Sequence, residues 1–279
     1  MKTLSSLVFV LGLHFWPLAA GAADILVREN VVAWCIVPFD ARKRGPEERA
    51  AMLERLRITK LAYDWRDEHV KDFEAEIVAT KARKIEYFAF WGEHPDAFPL
   101  FEKHGLHPQI WMTAPSPEGA TNEEKVAAAV KQLLPLVKRA GEFLCPFGLY
   151  NHGGWGGEPE NLVAVAKKLR EAAEGAEVGI VYNFHHGHGH IEDFPEVLAL
   201  MKPYLICVNL SGMNKSGEPK ILALGKGEAE AAMVVELARQ GYDGPIGIID
   251  HREGTDSEST LAENLEGLKK LQEAIGDRR

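Results

Sequence analysis

Four imidazole side chains follow an apolar run in the middle of the chain, and groups of this kind could carry acid–base or metal chemistry. The run begins at Val178 and is typical of a buried strand. It is followed by His185, His186, His188 and His190, with glycines between them that allow a tight backbone path. A solvated loop explains His188 and His190 equally well. His185 and His186 lie at the strand end itself, where α/β enzymes place their chemistry.

The remaining histidines also favour one side of the predicted fold. Outside the first 23 residues, most histidines come just after a predicted strand: His69, His94, His152, His185, His186, His188, His190 and His251. Only His104 and His107 come after a predicted helix. Solvated loops would scatter histidines over both ends of the fold. The bias therefore predicts one rim that is rich in groups that titrate near neutral pH.

Eight apolar runs, each followed by polar residues and a helical pattern, must position these side chains. The predicted strands are 31–37, 58–63, 85–90, 109–113, 147–150, 204–208 and 246–249, together with the run that begins at Val178. Strands that alternate with helices imply parallel strands and crossover helices. Eight such units in roughly 255 residues predict an α/β fold, a closed (β/α)8 TIM barrel. A doubly wound sheet would need a glycine-rich turn after the first strand, where Pro38, Phe39 and Asp40 stand.

The active site of such a barrel lies at the carboxyl ends of its strands, and here this rim carries carboxylates, amides and aromatic rings. We predict that the substrate is bound by Asp64, Trp65, Arg66, Glu93, Asn151, Trp155, Asn183 and Asn209. Aromatic faces beside hydrogen-bonding groups are typical of a site for a polyhydroxylated ring. Packing at the barrel top is the alternative for the tryptophans. Asp250, at the end of strand 8, is expected to be functional because a buried carboxylate needs a partner.

The first 23 residues are predicted to be a secretory signal peptide. Lys2 supplies a positive start, residues 4–19 are mostly apolar, and Ala20, Gly21 and Ala22 form a small-residue cleavage pattern. A membrane anchor is the alternative, but the run is short for a span and no transmembrane pattern follows. We therefore expect a single TIM-barrel domain over residues 24–279, in a protein exported to the periplasm. No membrane association is expected after cleavage.

The composition argues against some partners. The chain has 41 Asp and Glu against 32 Lys and Arg, and it shows no basic stripe. This acidic balance argues against a nucleic-acid surface. The three cysteines, Cys35, Cys145 and Cys207, lie in or beside apolar runs, which favours buried and unpaired thiols. An odd number of cysteines gives no disulfide framework, and the sequence does not indicate an oligomeric state.

Three motifs resemble those of the sugar phosphate isomerase/epimerase family, the xylose-isomerase-like barrels. Strand 5 ends in Leu149-Tyr150-Asn151-His152-Gly153-Gly154, which is similar to the family's L-E-N-H-G-G. Strand 6 ends in Asn183-Phe184-His185-His186, which is similar to D-x-x-H. Leu224-Gly225-Lys226-Gly227-Glu228 is similar to P-G-x-G-E/D. The resemblance covers nearly all of the chain after residue 23 and implies the same fold in a divergent, exported member.

The resemblance also implies a divalent ion, but the expected ligands are partly replaced. Tyr150 and Asn183 stand where the family has carboxylates, and Asn209 stands where it has His or Asp. Loss of two anionic ligands weakens the binding of hard ions. The remaining candidate ligands for one divalent metal are His152, His185, His186 and Asp250. Imidazoles with one carboxylate favour Zn²⁺, Mn²⁺ or Co²⁺ over Mg²⁺, and whether a metal binds is left open.

The family reaction removes a proton next to a carbonyl and returns it elsewhere, so the resemblance implies an isomerase- or epimerase-like enzyme. We predict Asp250, His152 and His186 as its catalytic residues, with base and ligand roles shared between Asp250 and His152. Because phosphorylated sugars are scarce outside the cytoplasm, the expected partner is a small carbohydrate, either a free sugar or a keto-sugar.

Three other functions remain as alternatives. A keto-sugar lyase or hydratase would share the same first proton transfer. A non-catalytic sugar-binding barrel would explain the missing carboxylates. Phosphodiester hydrolysis, as in endonuclease IV-type barrels, needs a multi-zinc cluster and a basic face, and the carboxylates and net charge of this chain argue against it.

Overall fold

The computed structural model describes residues 24–252 and 254–276, so the predicted signal peptide lies outside the described residues. Eight parallel strands pair in chain order, and β8 pairs with β1 to close the barrel. The strands, β1 to β8, are Val31–Trp34, Lys60–Tyr63, Glu86–Trp91, Gln109–Thr113, Phe147–Tyr150, Val178–Asn183, Leu205–Leu210 and Ile246–Ile249. The predicted (β/α)8 barrel is confirmed.

Helices alternate with these strands and cover the outside of the barrel. The long ones, α1 to α8, are Pro46–Arg55, Phe73–Ala82, Ala97–His104, Asn122–Glu142, Pro159–Ala172, Phe194–Met201, Glu230–Arg239 and Ser257–Gly276, and a short turn of helix spans Gly154–Gly157. The Thr121 hydroxyl accepts a hydrogen bond from the Glu124 N–H (3.2 Å), which fixes the start of α4. Pro135 lies inside α4, and the helix runs unbroken past it.

The strands are buried on both faces, as expected for a parallel sheet between an inner and an outer core. One core cluster lies between strands and helices and includes Ala33, Tyr63 and Ile248. A second cluster includes Trp34, Ala62 and Ile249, which alternate with the first set along the same strands. Because side chains alternate along a strand, the second cluster fills the barrel interior.

Aromatic rings dominate that interior just below the rim. Trp34 packs edge-on against Trp111 with ring centroids 4.9 Å apart, and Tyr150 lies 5.9 Å from Trp34. Trp91 meets Tyr150 edge-on at 5.0 Å. The barrel is therefore a packed core with an aromatic floor beneath its carboxyl-terminal end.

Two strand boundaries differ from the prediction in ways that affect the site. The first strand ends at Trp34 rather than at residue 37, because Cys35 adopts a positive φ of 60° and the chain leaves the sheet. Strand 7 continues to Leu210, so Asn209 lies inside it rather than after its end.

An ion-pair cluster ties the loop after β1 to the start of α8. Asp40 accepts hydrogen bonds from Arg44 Nη1 (2.8 Å) and from the Ser257 N–H (3.2 Å). Arg44 Nη2 also lies 2.8 Å from an Asp256 oxygen. This cluster stabilises the loop that carries Phe39, whose ring lies 3.8 Å from the ring of His251.

Candidate active site at the carboxyl-terminal rim

A small cavity of about 70 Å³ opens where the strands end. Its polar lining consists of Asp64, Arg66, His152, His185, His186 and His251. Its apolar wall consists of Trp34, Cys35, Phe39, Trp91 and Tyr150. Pockets for drug-sized ligands measure about 300–1,000 Å³. A cavity this small accepts a short molecule of a few heavy atoms or one end of a longer one.

Asp64 is the carboxyl group that lines this cavity. It follows β2 on the same face as Ala62, which belongs to the barrel interior, and it is 1 % exposed. Its Oδ1 accepts a hydrogen bond from the Val37 N–H (3.2 Å), whereas its Oδ2 has no hydrogen-bond partner among the described residues. Burial raises the pKa of Asp64 to about 7, although the charge of Arg66 and the Val37 hydrogen bond oppose the shift. A carboxyl group with a pKa near neutrality suits general base catalysis.

The protonation of His185 follows from its contacts with Asn183. The backbone N–H of His185 points to Asn183 Oδ1 (3.3 Å), which identifies that atom as the amide oxygen. The same oxygen lies 2.6 Å from His185 Nδ1, so Nδ1 carries the proton and Nε2 keeps a lone pair. Burial, with the neighbouring His186 and Lys220, lowers the pKa of His185 well below its ordinary value. The imidazole is therefore neutral, and its Nε2 is a hydrogen-bond acceptor.

His186 and His152 continue this row of imidazoles towards solvent. The ring of His186 lies 3.7 Å from that of His185 and 4.4 Å from that of His152. Lys220 Nζ lies 3.3 Å from His186 Nδ1, so this nitrogen accepts from the ammonium group and the ring proton is on Nε2. Burial and the charge of Lys220 lower the pKa of His186 to about 3. The site thus contains two neutral imidazoles, in which His185 Nε2 is an acceptor and His186 Nε2–H is a donor.

Asp250 lies on the opposite side of its strand from the cavity. Ile249 faces the barrel interior, so the next residue turns outward, towards α8. Its carboxyl group lies beside the hydroxyls of Thr260 and Ser257, and its Oδ1 is 4.0 Å from Arg252 Nε. Burial raises the pKa of Asp250, and the hydroxyls and Arg252 oppose that shift. The structure therefore does not bring Asp250 together with His152 and His186 in one cavity.

The three predicted asparagines are buried and act within the barrel wall. Asn151 Nδ2 donates to the Asn183 carbonyl (3.1 Å), and its Oδ1 accepts from the Asn183 N–H (2.6 Å). These bonds join the ends of β5 and β6. The side chain of Asn209 fills the space beside Gly247. A Cβ added to Gly247 would lie 1.7 Å from Asn209 Oδ1. None of the three lines the cavity.

The other predicted binding residues lie away from the cavity. Trp65 donates its indole N–H to the Trp91 carbonyl (2.6 Å) and packs on Phe73 and Phe90. Trp155 donates to Asn122 Oδ1 (2.8 Å) at the surface, and Glu93 is exposed, 3.5 Å from Arg139. Asp64 and Arg66 are thus the members of the predicted binding set that line the cavity.

Lys220, Cys35 and Phe39 belong to the site but were not predicted. Phe39 follows the predicted first strand, which was an available signal, whereas Cys35 lay inside the strand as it was predicted. Lys220 lies on the loop after β7, which an isolated backbone pair between Gly212 and Leu222 closes. A lysine in a polar loop carries no sequence pattern that would reveal a contact with His186.

The residues at the rim do not fit a divalent ion. Within residues 24–252 and 254–276, no group of three or more His, Cys, Asp and Glu side chains is arranged to hold one. Asp250, the one carboxylate among the predicted ligands, lies outside the cavity. Tyr150 stands at the expected Glu position, and burial raises the pKa of its hydroxyl well above the ordinary value. A neutral phenol is a poor substitute for an anionic metal ligand.

Comparisons with solved structures support the fold. The chain is similar to a xylose isomerase domain-containing protein from Salmonella typhimurium LT2 (13 % identity, 89 % of this chain and 98 % of that one, TM-score 0.65). It is also similar to the IolI protein with a bound zinc atom (10 % identity, 88 % of this chain and 98 % of that one, TM-score 0.68). A third similar structure is the 3-keto-D-glucoside 4-epimerase of E. coli (13 % identity, 87 % of this chain and 98 % of that one, TM-score 0.63).

These likenesses define the class of fold, the xylose isomerase-like TIM barrel. At identities this low they show the architecture alone, because one barrel fold serves many reactions. No family model matches the sequence, and no curated protein matches it either. The reaction of this protein therefore depends on the residues of its own cavity.

Proposed function

We propose that this protein is an isomerase- or epimerase-like enzyme that removes a proton next to the carbonyl of a short keto-sugar. The observation that carries this proposal is Asp64, a buried carboxyl group with a free oxygen and a pKa of about 7, in a cavity that the neutral imidazoles of His185 and His186 also line. Removal of a weakly acidic carbon-bound proton requires a base whose pKa lies near the working pH. The E. coli 3-keto-D-glucoside 4-epimerase, which has a similar fold, is an example of an epimerase on this architecture.

In the proposed step, the Asp64 carboxylate takes the proton from the carbon beside the carbonyl. The C–H electrons form a C=C bond, and the carbonyl π electrons move to oxygen, which gives an enediolate. Asp64 then returns the proton to the neighbouring carbon. Transfer of the hydroxyl proton to the former carbonyl oxygen completes an isomerisation without any net loss of atoms. His185 Nε2 accepts a hydrogen bond from a substrate hydroxyl, and Arg66 and His152 bind polar groups nearer the mouth.

The size of the cavity sets the expected substrate class. A volume of about 70 Å³ suits keto-sugars of three or four carbons, such as dihydroxyacetone and erythrulose, better than hexuloses. We expect proton NMR to show conversion of the short compounds at least tenfold faster than of fructose or tagatose at equal concentration. Equal or faster conversion of the hexuloses would contradict this size limit.

The side-chain directions at the rim predict different outcomes for two alanine variants. His152→Ala is expected to lower turnover by tenfold to a hundredfold, because His152 lines the cavity. Asp250→Ala is expected to act chiefly on stability, since Asp250 contacts α8 rather than the cavity. Steady-state kinetics with urea unfolding curves would separate the two. A hundredfold loss of turnover in a well-folded Asp250→Ala protein would restore the sequence-based assignment of Asp250.

We also propose that the enzyme acts outside the cytoplasm. The support is the sequence pattern of the first 23 residues, and the mass of the exported protein would test cleavage near Ala22 or Ala23. No helix among the described residues is long and apolar enough to span a bilayer.

A further inference from the structure

The Tyr150 hydroxyl receives two hydrogen bonds from groups that can only donate. Trp34 Nε1–H points to this oxygen from β1 at 3.1 Å. Asn183 Nδ2 points to it from β6. An indole N–H has no acceptor capacity, and neither has the nitrogen of an amide. Both bonds therefore end on the lone pairs of the phenol oxygen.

The orientation of the Asn183 amide is fixed independently of Tyr150. Its Oδ1 is identified by the backbone N–H of His185, which can only donate. Its Nδ2 must then face Tyr150, so the two contacts cannot be exchanged by rotating the amide. With both lone pairs of the phenol oxygen engaged, the Tyr150 proton remains to be donated. No hydrogen bond from the Tyr150 hydroxyl to an acceptor occurs among the described residues.

Tyr150 lines the same cavity as Asp64, and the two come from opposite parts of the barrel, β5 and β2. The burial of Tyr150 raises its pKa, so the phenol stays protonated throughout the neutral range. Two N–H donors on the oxygen polarise the O–H bond and strengthen it as a donor, because hydrogen bonds in a chain reinforce one another. A donor fixed in advance needs no reorganisation when negative charge develops on a ligand.

We infer that Tyr150 is the electrophilic group of this site: its hydroxyl donates a hydrogen bond to the carbonyl oxygen of the bound keto-sugar and stabilises the enediolate. This inference rests on the proposed function. It identifies Tyr150 as the hydrogen-bond donor to the substrate oxygen that becomes negatively charged in the enediolate. The proton stays on Tyr150, so no atom is gained or lost. The phenol stabilises the negative charge on the substrate oxygen, as a divalent ion does in a metal-dependent enolisation. This role agrees with a rim whose residues do not fit such an ion.

The first test measures binding rather than turnover. Glycolohydroxamate, a small planar analogue of an enediolate, is titrated calorimetrically into wild type, Tyr150→Phe and Tyr87→Phe in a buffer that contains a chelator. The Tyr87 hydroxyl is buried, lacks a hydrogen-bond partner among the described residues and does not line the cavity, so Tyr87→Phe makes the same change elsewhere. We expect Tyr150→Phe to weaken binding about 10- to 100-fold, as for loss of a hydrogen bond to a charged group. Tyr87→Phe should bind like wild type.

Equal binding by wild type and Tyr150→Phe would overturn the inference, as would failure of wild type to bind the probe without added metal. The second test is kinetic: Tyr150→Phe should lower kcat about 10²- to 10³-fold with little change in KM. Tyr150-dependent binding without any turnover of keto-sugars would refute the proposed function and leave the donor role intact. Turnover that survives in Tyr150→Phe would refute the donor role alone.

Discussion

Asp64→Asn is expected to lower the rate of proton transfer by about 10²- to 10⁴-fold while the protein remains folded. Asparagine has nearly the same shape as aspartate and can still accept the Val37 hydrogen bond, but it cannot take a proton from carbon. Because the carboxylate is the active form, wild-type kcat/KM should rise with pH through about 7. The pH–rate profile and the single-turnover rate of both proteins provide the measurement.

The same substitution should raise stability at alkaline pH. Burial raises the folded-state pKa of Asp64 from 3.8 to about 7, so the protonated carboxyl favours the folded state. Its contribution is fully present below pH 4 and is lost as the pH rises through 7. At pH 8, Asp64→Asn is therefore expected to unfold at a higher urea concentration, with a gain of up to about 4 kcal/mol. Loss of both activity and stability would contradict the account, because it would show a structural requirement for the carboxylate.

Glu76→Gln is expected to have the opposite effects, with turnover retained and stability lowered by about 3–5 kcal/mol. Glu76 is 0 % exposed and its carboxylate forms a direct ion pair with Arg49, which is 3 % exposed, whereas Asp64 has no such ion pair among the described residues. The pair joins α1 to α2 and lines no part of the cavity. Glutamine would leave the Arg49 charge buried without a counter-charge. Urea unfolding at pH 8 measures the loss, and turnover within about threefold of wild type makes Glu76→Gln the matched control for Asp64→Asn.

Replacing both partners tests the cause of that destabilisation. Arg49→Met combined with Glu76→Leu removes both charges and is expected to cost less than Glu76→Gln alone, because apolar side chains need no counter-charge. A double variant less stable than the single variant would contradict this explanation. In that case the hydrogen bond from Arg49 Nη2 to the Arg44 carbonyl would carry most of the energy.

The barrel could be predicted from sequence because parallel strands buried on both faces form continuous apolar runs between amphipathic helices. Strands β4, β5 and β8 begin and end where they were predicted. Strand β1 was predicted too long, because the positive φ at Cys35 depends on tertiary contacts rather than on an apolar-to-polar change.

The site was predicted less well than the fold, and the reason is the direction of side chains. In a strand buried on both faces, hydrophobic alternation does not reveal which face is the barrel interior. Asp64 and Asp250 both follow a strand. Asp64 lies on the same face as Ala62, which points into the barrel, whereas Asp250 lies on the same face as Ile248, which points outward. The histidine-rich rim was a useful guide, since His152, His185, His186 and His251 line the cavity. The ring protons could be assigned only from the hydrogen bonds of the folded protein, which are those of His185 with Asn183 and of His186 with Lys220.

The central claim, that Asp64 removes a carbon-bound proton in this cavity, is tested most directly by solvent deuterium exchange. Wild type, Asp64→Asn and Glu76→Gln would each be incubated with dihydroxyacetone and erythrulose in D₂O, and deuterium at the carbon beside the carbonyl would be followed by NMR. We predict incorporation with wild type and Glu76→Gln, and at least a hundredfold slower incorporation with Asp64→Asn. Equal rates in wild type and Asp64→Asn, or no incorporation by wild type, would contradict the claim.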